Sequence, residues 1–425
     1  MAWGANAGPA GEADVLMGTR ALLLLTGLNL LDYLDRYLLA ALASLIKGEL
    51  ALSGAAYGFL GTAFFLVYLL TSPLFGWLGD RYGRLRLMAG GAVLWSVATS
   101  LTAWVSSYPW LLLTRGLVGV GEASFGTLAP AYVADHLPLP RRSAALGVFY
   151  LAIPVGAALA YLAGGALGSR LGWRPVFLLG GLPGLLLAAA LLRLPAGPLD
   201  LRPASGAGLL AVEAWLPLWR IPTLVRVMLG YGMTTFTLGG LAFWMPRYLE
   251  VAKGLTLAQA NYLLFGAVTV AGGLGTVAGG WLGTRLMARR ADGALWLSAL
   301  GALLALPLGA MVVFAASPLL YVPGLVGSVF LLFLNPGVLT ALVVSLAGPA
   351  RRAKAVALNI IVIHLVGDVP SPFLIGLVAD LWHLTAGVAL TLLALGLGAT
   401  FFLSALPYVA EDLRRAEGGG TPAAP

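Results

Sequence analysis

Apolar residues come in long runs separated by short polar stretches that carry most of the charge. The runs fall near 20–44, 54–78, 86–105, 110–133, 143–166, 174–192, 223–246, 257–283, 294–314, 318–346, 354–378 and 386–407. Each is about 20 residues or longer, the length a helix needs to cross a bilayer core. The pattern predicts twelve membrane-spanning helices in an all-α protein. Glycine and proline recur inside the runs, which membrane helices tolerate because neighbours re-satisfy the freed backbone groups. The first 18 residues lack the basic start, apolar stretch and cleavage site of a secretory signal, so the first helix is expected to stay.

The polar stretches sort by charge. One side holds Arg20, the Arg81–Arg84–Arg86 group, Arg141 and Arg142, Arg193 to Arg226, Arg285 to Arg290, Arg351 to Lys354, and Arg414 with Arg415. The other side holds only Lys47, Arg170, Arg174, Arg247 and Lys253, while Arg36 and Arg115 fall inside helices. The basic side is expected to be cytoplasmic. Twelve spans then put both termini there, in a multi-pass protein of the plasma membrane.

The chain also repeats itself. Gly76-Trp77-Leu78-Gly79-Asp80-Arg81 closes the second helix, and Gly280-Trp281-Leu282-Gly283-Thr284-Arg285 closes the eighth. Arg141-Arg142 opens the fifth helix as Arg351-Arg352 opens the eleventh. The expected organisation is a six-helix half over 1–193, a cytoplasmic linker over 194–220, a second half over 221–410 and a tail over 411–425. Parallel repeats of this kind suit alternating-access transport, in which one half rocks against the other.

Composition narrows the field further. With 60% hydrophobic and 10% charged residues and a mean hydropathy of +0.93, the chain has too little polar surface for a soluble fold. The net charge of +8 follows topology and does not point to nucleic acid. No cysteine is present, which excludes disulfides and thiolate metal sites. No GxxxxGK[ST] loop encodes an ATP motor, and no nucleophile constellation suggests an enzyme. Neither a cofactor nor a metal is expected, and a monomer suffices.

The segment GWLGDRYGRLR, from Gly76 to Arg86, resembles the signature loop of the major facilitator superfamily, matched at Gly76, Asp80, Arg81, Gly83 and Arg84. The resemblance implies that this loop latches a cytoplasmic gate, with Asp80 placed to face a helix N-terminus. Thr284 replaces the acid in the second copy, so the latch is expected to be asymmetric. A narrower resemblance is carried by Asn29-Leu-Leu-Asp32-Tyr-Leu-Asp35-Arg36, by Arg115 to Ser124, by Phe149 to Gly156, and by His364 to Gly376 with Asp380. Together these are similar to the Spinster family of lysolipid and sphingolipid-phosphate transporters.

Ionisable residues at bilayer depth are costly, so each is a candidate functional group. Asp32, Asp35 and Arg36 stand at i, i+3 and i+4, and are expected to share one face. Arg115 and Glu122, two turns apart, share a face of the fourth helix. Asp32, Asp35, Glu122 and Asp368 outnumber Arg36 and Arg115, which favours keeping at least one carboxyl protonated. The Spinster resemblance assigns proton coupling to Asp35, Arg36 and Glu122, with Asp32 beside them; a static ion-pair network is the competing reading. Substrate binding is expected at Arg36, Arg115, His364, Asp368 and Asn335. For His364 and Asp368 at i, i+4, a proton relay and a packing hydrogen bond both stay open. The function these readings imply is proton-coupled transport of lysophospholipid or sphingolipid-like amphiphiles. The alternatives are an exporter of drugs or hydrophobic metabolites on the same fold, and a lipid sensor that moves nothing.

Overall fold

The computed structural model describes residues 9–136, 139–193, 215–348 and 351–417. These are helical with no strand among them. Twelve long helices run in chain order. They are α1 (Pro9–Ala41), α2 (Gly54–Tyr82), α3 (Arg84–Thr102), α4 (Tyr108–His136), α5 (Leu139–Ala163), α6 (Trp173–Leu192) and α7 (Pro222–Lys253). The remainder are α8 (Leu257–Gly266 and Gly273–Arg289), α9 (Gly293–Phe314), α10 (Pro318–Phe333 and Asn335–Ala347), α11 (Arg352–Ile363 and Pro370–Leu381) and α12 (Leu384–Glu417). Short helices at Ala43–Glu49 and Leu216–Trp219 precede α2 and α7. Most of the expected linker, 194–214, and the tail beyond 417 lie outside the described residues.

Nine of the twelve are long and apolar enough to cross a membrane on composition alone. The three that are not, α1, α4 and α7, are the ones whose sequences carry Asp32, Asp35 and Arg36, Arg115 and Glu122, or a Gly- and Thr-rich stretch. Helix ends follow local chemistry. Gly83, Gly172 and Gly254 take φ of 89°, 78° and 70°, which lets α2, the α5 extension and α7 stop sharply. Thr256 and Gln259 form a capping box that starts α8.

Three helices contain a wide π-turn: Gly164–Gly168 after α5, Ala267–Gly272 within α8, and His364–Asp368 within α11. The last is followed by Pro370, whose missing N–H prevents the preceding turn from closing normally.

The chain forms two compact units. The first comprises residues up to 38, 67–163 and 170–209; the second comprises 39–66, 164–169 and 210 onward. In the first, the clustered rings of Trp95, Phe125 and Phe149 join α3, α4 and α5, with successive centroids 5.5 and 6.1 Å apart. In the second, a core of aliphatic residues from α7, α9, α10, α11 and α12 surrounds Phe402, including Leu224, Leu295, Leu342 and Leu358.

Glycine sets how closely helices approach. A Cβ on Gly121 of α4 would lie 2.6 Å from the Gly91 carbonyl of α3, and one on Gly91 would strike Ser124. On α8, Gly275 and Gly279 abut the carbonyls of Phe330 and Leu334, whereas Gly273 and Gly280 face open space. Small-residue packing therefore lies on one stripe of each of these helices. Gly91→Leu should cost about 1–3 kcal/mol or more, the usual range of overpacking, read as a lower melting midpoint in detergent. Its exposed neighbour Gly90, where an added Cβ would meet nothing within 4 Å, should accept leucine with little change.

Candidate functional site

Within the first unit the buried charges of α1 and α4 resolve into two clusters. In one, Arg36 Nη2 donates to Glu122 Oε2 at 2.7 Å and Nε to the same oxygen at 3.2 Å. The same Nη2 reaches Asp32 Oδ1, one turn back, at 3.4 Å. The guanidinium lies over the rings of Tyr33 and Tyr68, 4.5 and 5.5 Å from their centroids. Glu122 is 0% exposed and Asp32 3%, against 14% for Arg36. Of these three, the cation is the group within reach of a ligand. Glu122 Oε1 is buried without a hydrogen-bond partner.

The second cluster is drier. Asp35 Oδ1 faces Arg115 Nη1 at 3.8 Å, each side chain 2% exposed. Thr99 of α3 donates a short hydrogen bond to Asp35 Oδ2, and Arg115 Nη2 donates to Thr102 Oγ1 at 3.1 Å. Phe177 of α6 covers the Arg115 guanidinium at 5.3 Å. The expectation that Asp32, Asp35 and Arg36 share one face is thus corrected. Asp32 and Arg36, four residues apart, align, but Asp35 is rotated about 100° from Arg36 and turns into the α3–α4–α6 interior. Thr99 and Thr102 are functional neighbours that the sequence does not single out. Their signal there is a polar stripe, Ser96-Thr99-Ser100-Thr102, in an otherwise apolar helix.

Three carboxylates stand against two guanidiniums here. If all were ionised, one negative charge would be left over in a region nearly closed to water, where unpaired charge is expensive. One proton would restore neutrality; Glu122 Oε1 and Asp35 Oδ1 are both buried without a hydrogen-bond partner.

The other sequence candidates lie elsewhere. In the second unit, His364 Nδ1 and Asp368 Oδ2 are 2.6 Å apart across the α11 π-turn, and the imidazole stacks on Phe65 with centroids 6.0 Å apart. Asn335 begins the second segment of α10 and is 1% exposed. Its amide faces Gly301 of α9, and neither Oδ1 nor Nδ2 has a hydrogen-bond partner. In the signature loop, Gly83 makes the left-handed break before Arg84 opens α3. Gly76 approaches Thr127, and Arg81 lies 5.7 Å from the Trp77 ring. The repeat partner Arg285 stacks on Trp281 at 3.9 Å, so the repeated motif is also a repeated contact. The side chain of Asp80 lies outside the described residues. Among the described residues no three His, Asp or Glu are arranged to hold a metal ion.

Comparison with known proteins shows what the chain is similar to. Residues 25–369 match the Major Facilitator Superfamily model. Protein spinster homolog 1 of Xenopus tropicalis is 34% identical over 452 aligned residues, covering 96% of this chain and 85% of that protein. The mouse sphingosine-1-phosphate transporter is 33% identical, covering 92% of this chain and 77% of its own. Among solved structures, a bacterial homologue of the human lysosomal transporter Spinster, inward-facing and unoccupied, superposes with a TM-score of 0.83 at 22% identity. The match covers 96% of this chain and 99% of that one. The D-xylose–proton symporter gives 0.77 at 18% identity over 92% and 98%.

The Asp35–Arg115 pair makes a separable prediction. Asp35→Leu leaves a buried guanidinium without its counter-ion and should lower stability by about 3–5 kcal/mol, seen as a fall in the melting midpoint followed by tryptophan fluorescence. Adding Arg115→Met should recover most of that loss. Strictly additive losses in the double variant would mean that the two side chains do not act as a pair.

Proposed function

Because the chain belongs to the major facilitator superfamily and, within it, to the Spinster family, we propose that it is a proton-coupled secondary transporter of lysophospholipid or sphingolipid-like amphiphiles. It would work by alternating access between its two six-helix halves, 1–193 and 221–410. As a member of a transporter family it is not an enzyme. The observation that carries the proposal is the Arg36–Glu122–Asp32 cluster, in which a part-exposed guanidinium is held by two buried carboxyls, one with a bare oxygen.

The chemistry follows from competition for one cation. With Glu122 ionised, Arg36 is engaged and unavailable. A proton on Glu122 removes the nearer of the two charges that hold Arg36, leaving the longer contact to Asp32, and the guanidinium turns toward an anionic headgroup, which it binds bidentately. Substrate entry and proton loading therefore favour one another, and release of either returns Arg36 to Glu122. Asp35 with Arg115 keeps α1 registered against α3 and α4 while this happens. His364 and Asp368, in the second unit, are the further polar pair proposed for substrate binding. The substrate of the mouse relative, sphingosine-1-phosphate, supports an anionic lipid-like substrate class. The arginine-rich loops support a cytoplasmic location for both termini, in the plasma membrane, and a single chain suffices for the cycle.

The test uses proteoliposomes loaded with a pH-sensitive dye and challenged with lysophospholipids and sphingosine-like amphiphiles. The parent should move protons on substrate addition. Glu122→Gln should lose that signal by about tenfold or more, within the usual range of coupling between two sites, while still binding. Binding of an anionic amphiphile should strengthen as pH falls in the parent, because protonation frees Arg36, and should be flat with pH in Glu122→Gln. Lipid counterflow without proton movement in the parent would leave a facilitator. No signal with any lipid would favour the drug-exporter alternative.

A further inference from the structure

The ends of α1 and α2 on the face opposite the arginine-rich loops are built into the second unit, although the rest of both helices belongs to the first. Contacts with α7 hold them there, Ser44 bonding Arg247 and Glu250 and Tyr57 packing on Phe243 and Trp244, and so do two crossings made at backbone distance by glycine. At one, α2 meets α11. A Cβ on Gly54 would lie 2.5 Å from the Gly376 carbonyl, and one on Gly376 would strike the Gly54 carbonyl in return. Gly58 abuts the Pro372 carbonyl in the same way. At the other crossing, the π-turn after α5 meets the start of α8, where Gly165 packs on Asn261 and Tyr262, and Gly168 on Leu42 and Leu257.

The chain repeat makes these two crossings counterparts, but they differ in one respect. At the α2–α11 crossing, Asp380 Oδ1 accepts from the Gly54 N–H at 2.6 Å and Oδ2 from the Ala55 N–H at 2.7 Å. These are the first two backbone donors of α2, which the helix itself leaves unpaired, and the carboxylate also meets the positive end of the helix. The corresponding stretch after α5, Arg170 to Val176, holds no acid. Its crossing shows the packing of Gly165 on Asn261 and Tyr262, and Asn261 Nδ2 also donates to the Ala41 carbonyl at the end of α1 at 3.0 Å.

We propose that Asp380 is a breakable latch on this face: a carboxylate at the end of α11 that clasps the N-terminus of α2 and biases the transporter toward closure there. The α2 helix is unbroken from Gly54 to Tyr82, and its one proline, Pro73, lies well past the change of unit at 66–67. A helix that stays rigid there cannot follow the first unit without pulling Gly54 and Ala55 off Asp380. Other ties between these helices include Thr62 Oγ1 donating to the Val369 carbonyl at 2.5 Å, Phe59 edge-on to Phe373 and Phe65 stacked on the His364 imidazole. Against these, the two bonds to Asp380 are the charge-assisted ties of α2 to α11; on the same face Ser44 also bonds Glu250 and Arg247 of α7, each at 2.8 Å, so Asp380 sets the share of the bias that α2 carries. Such a latch is the counterpart, on the opposite face, of the one expected of the signature loop. It needs neither a substrate nor a proton on Glu122.

The absence of native cysteine makes the test direct. Spin labels go on Gly48→Cys, exposed with nothing within 4 Å of an added Cβ, and on Leu381→Cys, 69% exposed, on the full chain in nanodiscs without ligand. Asp380→Asn, which keeps the shape and one acceptor but loses the charge, should raise the ratio of long to short distances by about tenfold, the scale of a hydrogen bond to a charged group. Ala55→Pro removes one donor at a first-turn position that tolerates proline. It should move the ratio the same way by less, and it decides the matter if Asp380→Asn does not fold. A monodisperse Asp380→Asn with the parent's distance distribution, or Ala55→Pro unchanged where the first variant fails, would overturn the proposal.

Discussion

Charge buried in a place without water must be answered by charge or by backbone dipoles, and much of this protein is arranged around that need. Of the two mid-helix arginines of α1 and α4, one sits in a dry α1–α3–α4–α6 pocket with a single carboxylate and two threonine hydroxyls to balance it. The other is shared by two carboxylates and two tyrosine rings, at the more open edge of the same region. The dry pair has little freedom to exchange partners. The shared one has a surplus of acceptors, and a surplus of acceptors makes a proton useful.

The same requirement explains where the helices depart from simple apolar rods. α1 and α4 are the least suited to lipid on composition because they carry the charges, and they are screened by the aromatic and small-residue packing of α3, α5 and α6. Glycine at Gly91 and Gly121 draws α3 and α4 to backbone contact. That closeness puts Thr99 and Thr102 within hydrogen-bonding reach of Asp35 and Arg115. Packing and electrostatics are therefore one arrangement: the small residues set the distance at which the polar ones meet.

On the face opposite the basic loops, the hydrogen-bonding partner is backbone, with the Lys47 charge near by. Asp380 is satisfied by the free N–H groups of a helix start 326 positions earlier in the chain. A carboxylate held by backbone donors is stable while the helices stay together and strongly disfavoured as a half-made contact. That combination suits a boundary between two discrete states better than a continuous hinge.

Twelve spans, an internal repeat and the identity of the buried ionisable residues were all legible before any helix was placed. Those properties follow from local run length, charge placement and short-range repetition, and no tertiary contact is needed to read them. The meeting of Asp32 with Arg36 was legible too, since i, i+4 neighbours on a helix must meet. That Asp35 leaves this face for Arg115 and Thr99 was not, because the choice depends on how α1 is rotated against α3 and α4. Only the folded chain encloses the Asn335 amide against Gly301, and only there does Asp380 find the start of α2. Backbone donors look the same at every residue, so a partnership built on them leaves no mark in the order of side chains.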